Sequence, residues 1–575
     1  MGYQQRVQKW LSFSSLENEL KTQLIEIQKD EKRLEDAFYK DLEFGTGGMR
    51  GEIGAGINRM NTYTVRKASQ GVANYVKNAG VEAMKKGIVI AFDSRRKSPE
   101  FAREAAATFA RNGIQAYVYE LPRTTPQLSF SVRELNAFMG IVITASHNPP
   151  EYNGYKVYGE DGAQLNLESA EQVISFVKQV GDELSVESAD YDEFLTKGMI
   201  QHIGSDLDQS YLEAVKSVQH HPEMLAKKNV RVVFTPLHGA SGATVRELMK
   251  QTGYPHFDYV EEQMEPNGEF PTLLSPNPEE ASAFEFAMKQ GSQSNADILI
   301  TVDPDGDRVG VAVKDQQDYV LLTGNQTGAI LIEYLLTQLK EKGVMPANGR
   351  VFKTIVTSDL GRVIAEFHGA STEDVLTGFK FIGEKIHHYQ QTKEFNFLFG
   401  YEESYGYLIK PFARDKDAIQ SVLAITEAAA YYKEQGKNLV EVLNDLYERH
   451  GYYLEGLVSV TKRGADGARS IKNLLTRLRE QPIKTIAGIA ITSQEDYFMQ
   501  TRSFIDGRES EKLVLPKADV IKYFLEDGSW VCIRPSGTEP KVKYYMGVTS
   551  PTEKVSKEKL ERITKEFTNE MNKRF

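Results

Sequence analysis

Residues 88–119 read IVIAFDSRRKSPEFAREAAATFARNGIQAYVY, and this stretch decides the fold class. Ile88 to Phe92 is an unbroken apolar run, the pattern of a buried strand. Ser98 and Pro99 read as an N-cap and a first helical residue, Phe101, Ala105 and Phe109 share one helical face, and Gly113 stops the helix. Ile114 to Tyr119 predicts the following strand.

The same strand–helix–strand unit recurs further along the chain. Val230 to Phe234 precedes a helix from about Ala243 to Gln251 and a strand at Ile298. Val351 to Val356 precedes a helix from about Gly361 to Phe367 and a strand from Phe395 to Phe399. Three α/β domains of related build are therefore expected. Before them, residues 1 to about 40 are charged and helix-prone, with Trp10, Leu11, Phe13 and Leu16 offering an apolar face. After about residue 455 shorter strands and exposed helices predict a smaller C-terminal α+β domain. Polar segments place the divisions at 1–205, 206–320, 321–450 and 451–575.

A chain of 575 residues has the length for several cores. Its 69 basic and 80 acidic residues give a formal net charge of −11, without basic tracts, which speaks against nucleic acid or an anionic membrane as partner. The single cysteine, Cys532, excludes an intrachain disulfide and fits a reducing, cytoplasmic compartment. The N-terminus lacks the apolar centre of a signal peptide, no apolar stretch reaches 18 residues, and Gly2 is not followed by the residues that myristoylation prefers.

Polar loops at strand ends carry the chemistry. The apolar run Gly140 to Ile143 breaks into Thr144-Ala145-Ser146-His147-Asn148-Pro149, where open α/β sheets place their sites. In an extended segment His147 would point away from Ser146, and no Gly-x-Ser-x-Gly elbow surrounds the serine, so a hydrolase dyad is not expected. A capping serine beside a satisfied histidine is the plain alternative. Ala296 to Val302 runs into Asp303-Pro304-Asp305-Gly306-Asp307-Arg308, whose alternate carboxylates can converge on one hard cation, with Arg308 beside it to neutralise a transferring phosphoryl group. Together the two loops suggest a phosphorylatable Ser146 and a divalent metal. A calcium loop is disfavoured because the strand-like Val309 to Val313 follows where a closing glutamate is needed; a solvated turn is the other alternative.

Three further segments have the inventory for sugar phosphates. Phe44-Gly45-Thr46-Gly47-Gly48-Met49-Arg50-Gly51 can bring amides close to an anion, or form a plain turn. Glu402 and Ser404 suit sugar hydroxyls, though a charged loop reads equally well. Arg534, Ser536, Gly537 and Thr538 combine a guanidinium, two hydroxyls and a backbone amide, which suits a phosphate monoester.

Taken in order, Thr144 to Pro149, Asp303 to Arg308, Glu402 to Ser404 and Arg534 to Pro540 resemble the four signature loops of the α-D-phosphohexomutases. The resemblance implies four domains around a central cleft, three mixed α/β and the fourth a mobile lid. It implies that Ser146 is the phosphoserine, that its phosphoryl oxygen with Asp303, Asp305 and Asp307 holds one Mg²⁺, and that Glu402 and Ser404 hold the sugar. Arg534, Ser536, Gly537 and Thr538 are then expected to grip the unreacting phosphate. Arg50, Lys156 and Lys416 match active-site positions of the family, Lys416 as proton carrier, and His147 joins Ser146 among the catalytic candidates. Thr377, Gly378 and Lys380, in Thr377-Gly378-Phe379-Lys380, match the segment that distinguishes orientations of bound sugar. Many mannose- and glucose-handling bacterial relatives carry a histidine two residues after the sugar-binding serine; here that residue is Gly406, and Glu402-Glu403-Ser404-Tyr405-Gly406 is instead similar to the glucose-type branch and its pentose-phosphate kin.

The expected reaction interconverts glucose 1-phosphate and glucose 6-phosphate through glucose 1,6-bisphosphate, with pentose or mannose phosphates as alternative substrates. A sugar-phosphate phosphatase and a non-catalytic sugar-phosphate sensor are competing readings. A monomer or weak homodimer is expected.

Overall fold

The computed structural model describes residues 2–45, 47–187, 189–462, 464–536 and 541–575. They fall into two compact units, Met1–Thr327 with Phe379–Asn438, and Gly328–Gly378 with Leu439–Phe575.

In the first unit three lead-in helices, Tyr3–Ser12, Asn18–Ile27 and Glu31–Phe38, bury Trp10 and Leu16 and half-bury Leu11 and Phe13. Trp10 packs edge-on against Phe38 and Tyr63, at 5.6 and 5.5 Å between ring centroids. A seven-stranded sheet follows, in the order Phe44–Gly45, Gly48–Glu52, Tyr152–Tyr158, Met139–Ile143, Ile88–Phe92, Ala116–Tyr119, Ile200–Ile203. Its last four strands are parallel, and Tyr152–Tyr158 returns antiparallel beside Met139–Ile143, with Val142 opposite Lys156.

Ile88–Phe92 is buried at every position, which explains its unbroken apolar run. Ile88, Ile90 and Phe92 face the helices Thr62–Ala79 and Ser98–Arg111, and Val89 and Ala91 pack with Leu128 and Val132 of the helix Thr125–Glu134. Each fully buried aliphatic side chain contributes about 2 kcal/mol, so the sheet supplies the stability and its terminal loops can be polar.

Ser98 is not the N-cap. It is the first helical residue, preceded by Lys97 in a left-handed conformation at φ 62°. The Ser98 hydroxyl is engaged elsewhere, donating to Asp93 Oδ1 at 2.8 Å and accepting from Asn153 Nδ2 at 2.9 Å.

The second sheet of this unit repeats the plan in the order Asp318–Leu322, Val309–Asp315, Ile298–Val302, Val232–Thr235, Phe257–Tyr259. Ile298–Val302 is parallel to Val232–Thr235, and Val309–Asp315 returns antiparallel beside it. Asn396–Glu402 and its antiparallel return Gly406–Leu408 give the same hairpin a third time. The first sheet ends at Ile203 and the second at Leu322.

In the second unit Gly349–Thr354 and Ser371–Val375 are parallel, joined through the helix Leu360–Phe367. The C-terminal sheet is antiparallel, running Tyr452–Thr461, Lys541–Ser550, Trp530–Pro535, Ile521–Leu525, Ile489–Asp496, Thr501–Phe504, Glu511–Lys512, with Thr485–Ile486 paired to Ile489–Asp496. Leu474, Leu475, Leu478, Ile563, Phe567 and Met571 from two helices close its core. Among the described residues no helix is long and apolar enough to cross a membrane.

Candidate active site

Ser146 sits where the strand Met139–Ile143 ends, in the left-handed region at φ 53°, and is buried. Such a conformation costs a non-glycine residue about 1–3 kcal/mol, more than one hydrogen bond at about 1 kcal/mol returns. Several bonds hold it. Ser146 N donates to Thr144 Oγ1 at 2.8 Å. The fully buried Arg95, in the loop after Ile88–Phe92, donates through Nη1 to the carbonyls of Pro149 (2.8 Å) and Tyr152 (3.1 Å), and through Nη2 to those of Ser146 and Asn148. Arg95 Nε lies 3.4 Å from Asp93 Oδ2. Burial opposes both charges, raising the Asp93 pKa and lowering that of Arg95, so this pair is a fixture held by its carbonyl contacts rather than a source of net stability.

The left-handed turn also corrects the expectation for His147. Because Ser146 is not extended, the imidazole swings alongside, with Nδ1 3.2 Å from Ser146 Oγ. Burial, reinforced by Arg308 and Arg50, pushes the His147 pKa well below the ordinary imidazole value, so it is neutral near pH 7. The shorter bond of the hydroxyl goes to Asp303, with Oγ donating to Oδ2 at 2.7 Å.

Asp303, Asp305 and Asp307 are buried and offer one oxygen each within 4.8 Å of one another. Asp303 Oδ1 accepts from Asp307 N (3.0 Å) and Arg308 N (2.9 Å), folding the loop around its first carboxylate. Gly306, at φ 70°, makes the reversal, and a Cβ there would lie 2.5 Å from Thr124 Cγ2. Lys156 donates to Asp305 Oδ2 at 2.7 Å, as does Thr125 Oγ1 at 2.9 Å. Lys416 Nζ lies 3.0 Å from Asp307 Oδ2 and 3.2 Å from Asp415 Oδ1. Arg308 donates to Glu279 Oε1 at 2.6 Å.

Burial, then repulsion from Asp305 and Asp307, raises the Asp303 pKa well above the carboxylate range. Burial also opposes the charge of Asp305, but Lys156 outweighs it and holds the pKa below the normal range. For Lys156 and Lys416 burial is likewise outweighed, by Asp305 and Asp307 for the first and by Asp307 and Asp415 for the second, so both lysines are firmly protonated. Asp305 Oδ1 and Asp307 Oδ1 are buried with no hydrogen-bond donor. Unsatisfied buried oxygens beside a crowded third carboxylate are what a hard divalent cation requires, so the residues fit a metal. The chain enters the strand Val309–Asp315 directly after Arg308, leaving no loop in which a calcium-closing glutamate could follow.

The third hairpin joins this cluster. Tyr405 O accepts from Val309 N at 3.0 Å, which ties the loop after Glu402 to the residue following Arg308. Glu402 is buried and Ser404 half-buried. Arg50 donates to Asn148 Oδ1 at 2.9 Å, joining the glycine-rich strand to the serine loop.

Ser146, His147, Asp303, Asp305, Asp307, Arg308, Lys156, Lys416, Arg50, Glu402 and Ser404 thus belong to one unit. Lys380, in that unit, lines a cavity of ≈ 250 Å³ with Asp161, Gln164, Glu384 and His387. Burial lowers its pKa to about 8, against the opposing pull of Glu384. Thr377, Gly378, Arg534 and Ser536 belong to the second unit. Thr377 and Arg534 are half-buried there, and Ser536 N donates to Lys541 O at 2.7 Å. Gly537 and Thr538 lie outside the described residues.

Sequence reading missed Arg95, Thr125, Glu279 and Asp415. Arg95 had a usable signal, since Asp93-Ser94-Arg95-Arg96 also follows a buried strand. The other three announce nothing until the fold brings them to their partners.

Four domain models of phosphoglucomutases and phosphomannomutases match in order: the alpha/beta/alpha domains I, II and III at residues 41–183, 209–316 and 323–450, and the C-terminal domain at 493–569. A phosphoglucomutase of Staphylococcus epidermidis is 37% identical over 511 residues, covering 88% of this chain and 91% of that protein. One of Staphylococcus saprophyticus is 35% identical over 560 residues, covering 97% and 98%. The open-form crystal structure of parafusin, a Paramecium phosphoglucomutase, shares the fold at a TM-score of 0.64 and 17% identity, covering 90% of this chain and 91% of that one.

Proposed function

The chain belongs to the phosphoglucomutase/phosphomannomutase family, and on that premise we propose that it interconverts glucose 1-phosphate and glucose 6-phosphate through a phosphorylated Ser146. The observation that carries the reading is the 2.7 Å bond from Ser146 Oγ to Asp303, within a triad whose other two carboxylates each leave an oxygen unpaired. A nucleophile oxygen is thereby placed beside a cation site, as phosphoryl transfer needs.

In the first half-reaction the P–Oγ bond of phospho-Ser146 breaks and a bond forms from phosphorus to the 6-hydroxyl oxygen of glucose 1-phosphate. In the second, the 1-phosphoryl of the resulting glucose 1,6-bisphosphate, turned end for end, returns to Ser146 Oγ and glucose 6-phosphate leaves. In each half-reaction the proton of the attacking hydroxyl ends on the departing oxygen; Lys156 or Lys416, an ammonium at rest, handles it by giving its own proton to the departing oxygen and taking that of the attacking hydroxyl in exchange. Asp303, Asp305 and Asp307, with a phosphoryl oxygen on Ser146, would hold one Mg²⁺, which when bound stabilises charge on the transferring group. Arg308, anchored by Glu279, adds a fixed positive charge at the same place. His147, neutral and beside Oγ, orients the serine hydroxyl between transfers, and Arg50 steadies the loop through Asn148.

Glu402 and Ser404 hold the sugar hydroxyls. Thr377, Gly378 and Lys380 register the sugar's orientation, and Arg534, Ser536, Gly537 and Thr538 hold the distal phosphate. The domains are assigned as 1–205, 206–320, 321–450 and 451–575, with one signature loop in each. Glucose 1,6-bisphosphate is both intermediate and activator. We place the activity in the cytoplasm, in a monomer or weak homodimer, without nucleic acid or membrane as partner; a single buried cysteine and a net charge of −11 support that reading.

Assay of Ser146→Ala with glucose 1-phosphate, Mg²⁺ and glucose 1,6-bisphosphate tests the mechanism. Loss of turnover is expected, and undiminished turnover overturns it. Specificity constants for glucose, mannose and ribose 1-phosphates test the substrate, with glucose expected to lead.

A further inference from the structure

Gly406 lies directly across the antiparallel pair from Glu402, at the start of the return strand of the third hairpin. Its φ lies outside the left-handed region, so the backbone itself does not call for glycine. Space does. A Cβ at this position would lie 2.0 Å from Lys416 Cδ, 2.6 Å from Cγ and 3.2 Å from Cε, whereas carbons in contact sit at about 3.5–4.0 Å. The aliphatic stem of Lys416 crosses the strand through the volume that any side chain at 406 would fill.

The lysine cannot make room by moving its base. Lys416 N donates to Asp415 Oδ1 at 2.8 Å, and Asp417 N donates to Tyr407 O at 2.8 Å, which ties the main chain to the residue next to Gly406. Ala418 N donates to Gly306 O at 3.1 Å, and Asp417 caps the helix Ala418–Glu434 through the amides of Ile419 and Gln420, at 3.0 Å each. Asp415 is fixed in turn by Tyr158, whose hydroxyl donates to Oδ2 at 2.8 Å. The freedom that remains belongs to the far end of the side chain, which reaches Asp307 and Asp415 with Nζ 5.7 Å from the Phe379 ring centroid. A wedge under the stem must therefore displace the ammonium.

We propose that Gly406 is a positioning residue for Lys416. Its missing side chain is the channel by which the lysine reaches the aspartate loop, and a group as small as a methyl closes that channel. The inference rests on the proposed mutase reading, and takes Lys416 as the one of its two lysines that handles a substrate proton. It also links two positions ten residues apart, since any side chain at 406 meets the stem of Lys416. Glycine at 406 and lysine at 416 thus form one unit beside Glu402.

The test compares Gly406→Ala, Lys416→Met and the double variant, measuring kcat and KM for glucose 1-phosphate and the thermal melt. Gly406→Ala is expected to lose kcat on the order of 10²-fold, the usual worth of a proton-transfer group. KM and Tm should move little, and the double variant should be no worse than Lys416→Met alone, because both changes remove the same ammonium. Full kcat in Gly406→Ala alongside an impaired Lys416→Met overturns the inference. Full kcat in Lys416→Met instead overturns the role of Lys416 in the mutase reading. The channel is then judged by a crystal structure of Gly406→Ala, in which Nζ displaced from Asp307 upholds it and Nζ in place refutes it. Should Gly406→Ala fail to fold, Gly406→Ala with Lys416→Ala removes the stem; recovery of folding upholds the clash, and continued failure refutes it.

Discussion

The serine loop and the aspartate loop both follow a buried strand, yet they are held in opposite ways. Around Ser146 the constraint acts on backbone: Arg95 grips main-chain carbonyls and forces a left-handed turn, leaving the hydroxyl to follow. Around Asp303 it acts on side chains: the carboxylates are placed by amides, lysine ammonium groups and a threonine hydroxyl, and two of their oxygens stay unpaired. The first loop is a matter of scaffolding and the second a matter of charge, so they should fail differently.

The largest effect should come from charge. Asp305→Asn removes a proposed metal ligand and the partner of Lys156, and kcat should fall on the order of 10³-fold with loss of Mg²⁺ dependence. The melt should fall by less than in Arg95→Met, because the Lys156 ammonium keeps Asp307 at 3.6 Å and Asp303 is relieved of a repulsive neighbour. A large drop in Tm would erase the contrast. Arg95→Met should cost about 10²-fold in kcat through a displaced serine. It should also cost about 3–5 kcal/mol of stability, since Asp93 and the carbonyls lose their partner. An Arg95→Met protein that melts like the parent but transfers no phosphoryl group would reassign Arg95 to the chemistry.

Glu279→Gln probes the border between the two modes, weakening one charge-assisted bond to Arg308. A loss of about tenfold in kcat with unchanged Tm is expected, matching about 1.5 kcal/mol for such a bond. The smallest effect belongs to Lys380, outside both loops. Its pKa is lowered to about 8, so the folded protein binds fewer protons there than the unfolded chain between pH 8 and the normal lysine value. Its destabilising contribution is fully present below pH 8 and is relieved as the pH rises above it. Tm measured against pH should show a shallow extra rise above pH 8 that Lys380→Met lacks.

Much of this was legible in the chain. The strand Ile88–Phe92 and the loops at Ser146, Asp303 and Glu402 follow from apolar runs breaking into polar clusters, because a parallel strand buried on both faces leaves a plain hydropathy signal. What escaped is whatever joins loops to one another. Arg95 meets Ser146 across 51 residues and Thr125 meets Asp305 across 180, and no local pattern carries such a pairing. The direction of His147 escapes because alternation holds only for an extended chain, and Ser146 is left-handed. Gly406 was visible as a departure, but its cause lies in the stem of Lys416, which spacing does not reveal.

The repeated hairpin also limits how such a site can drift. Lys156 faces Asp305 only because its strand pairs Val142 with Lys156 and Ile143 with Tyr155. One amino acid inserted between Tyr152 and Lys156 would slip that pairing by a single step and turn the ammonium to the sheet's opposite side. Descendants of this chain can exchange what the hairpins display far more readily than they can change how long those hairpins are.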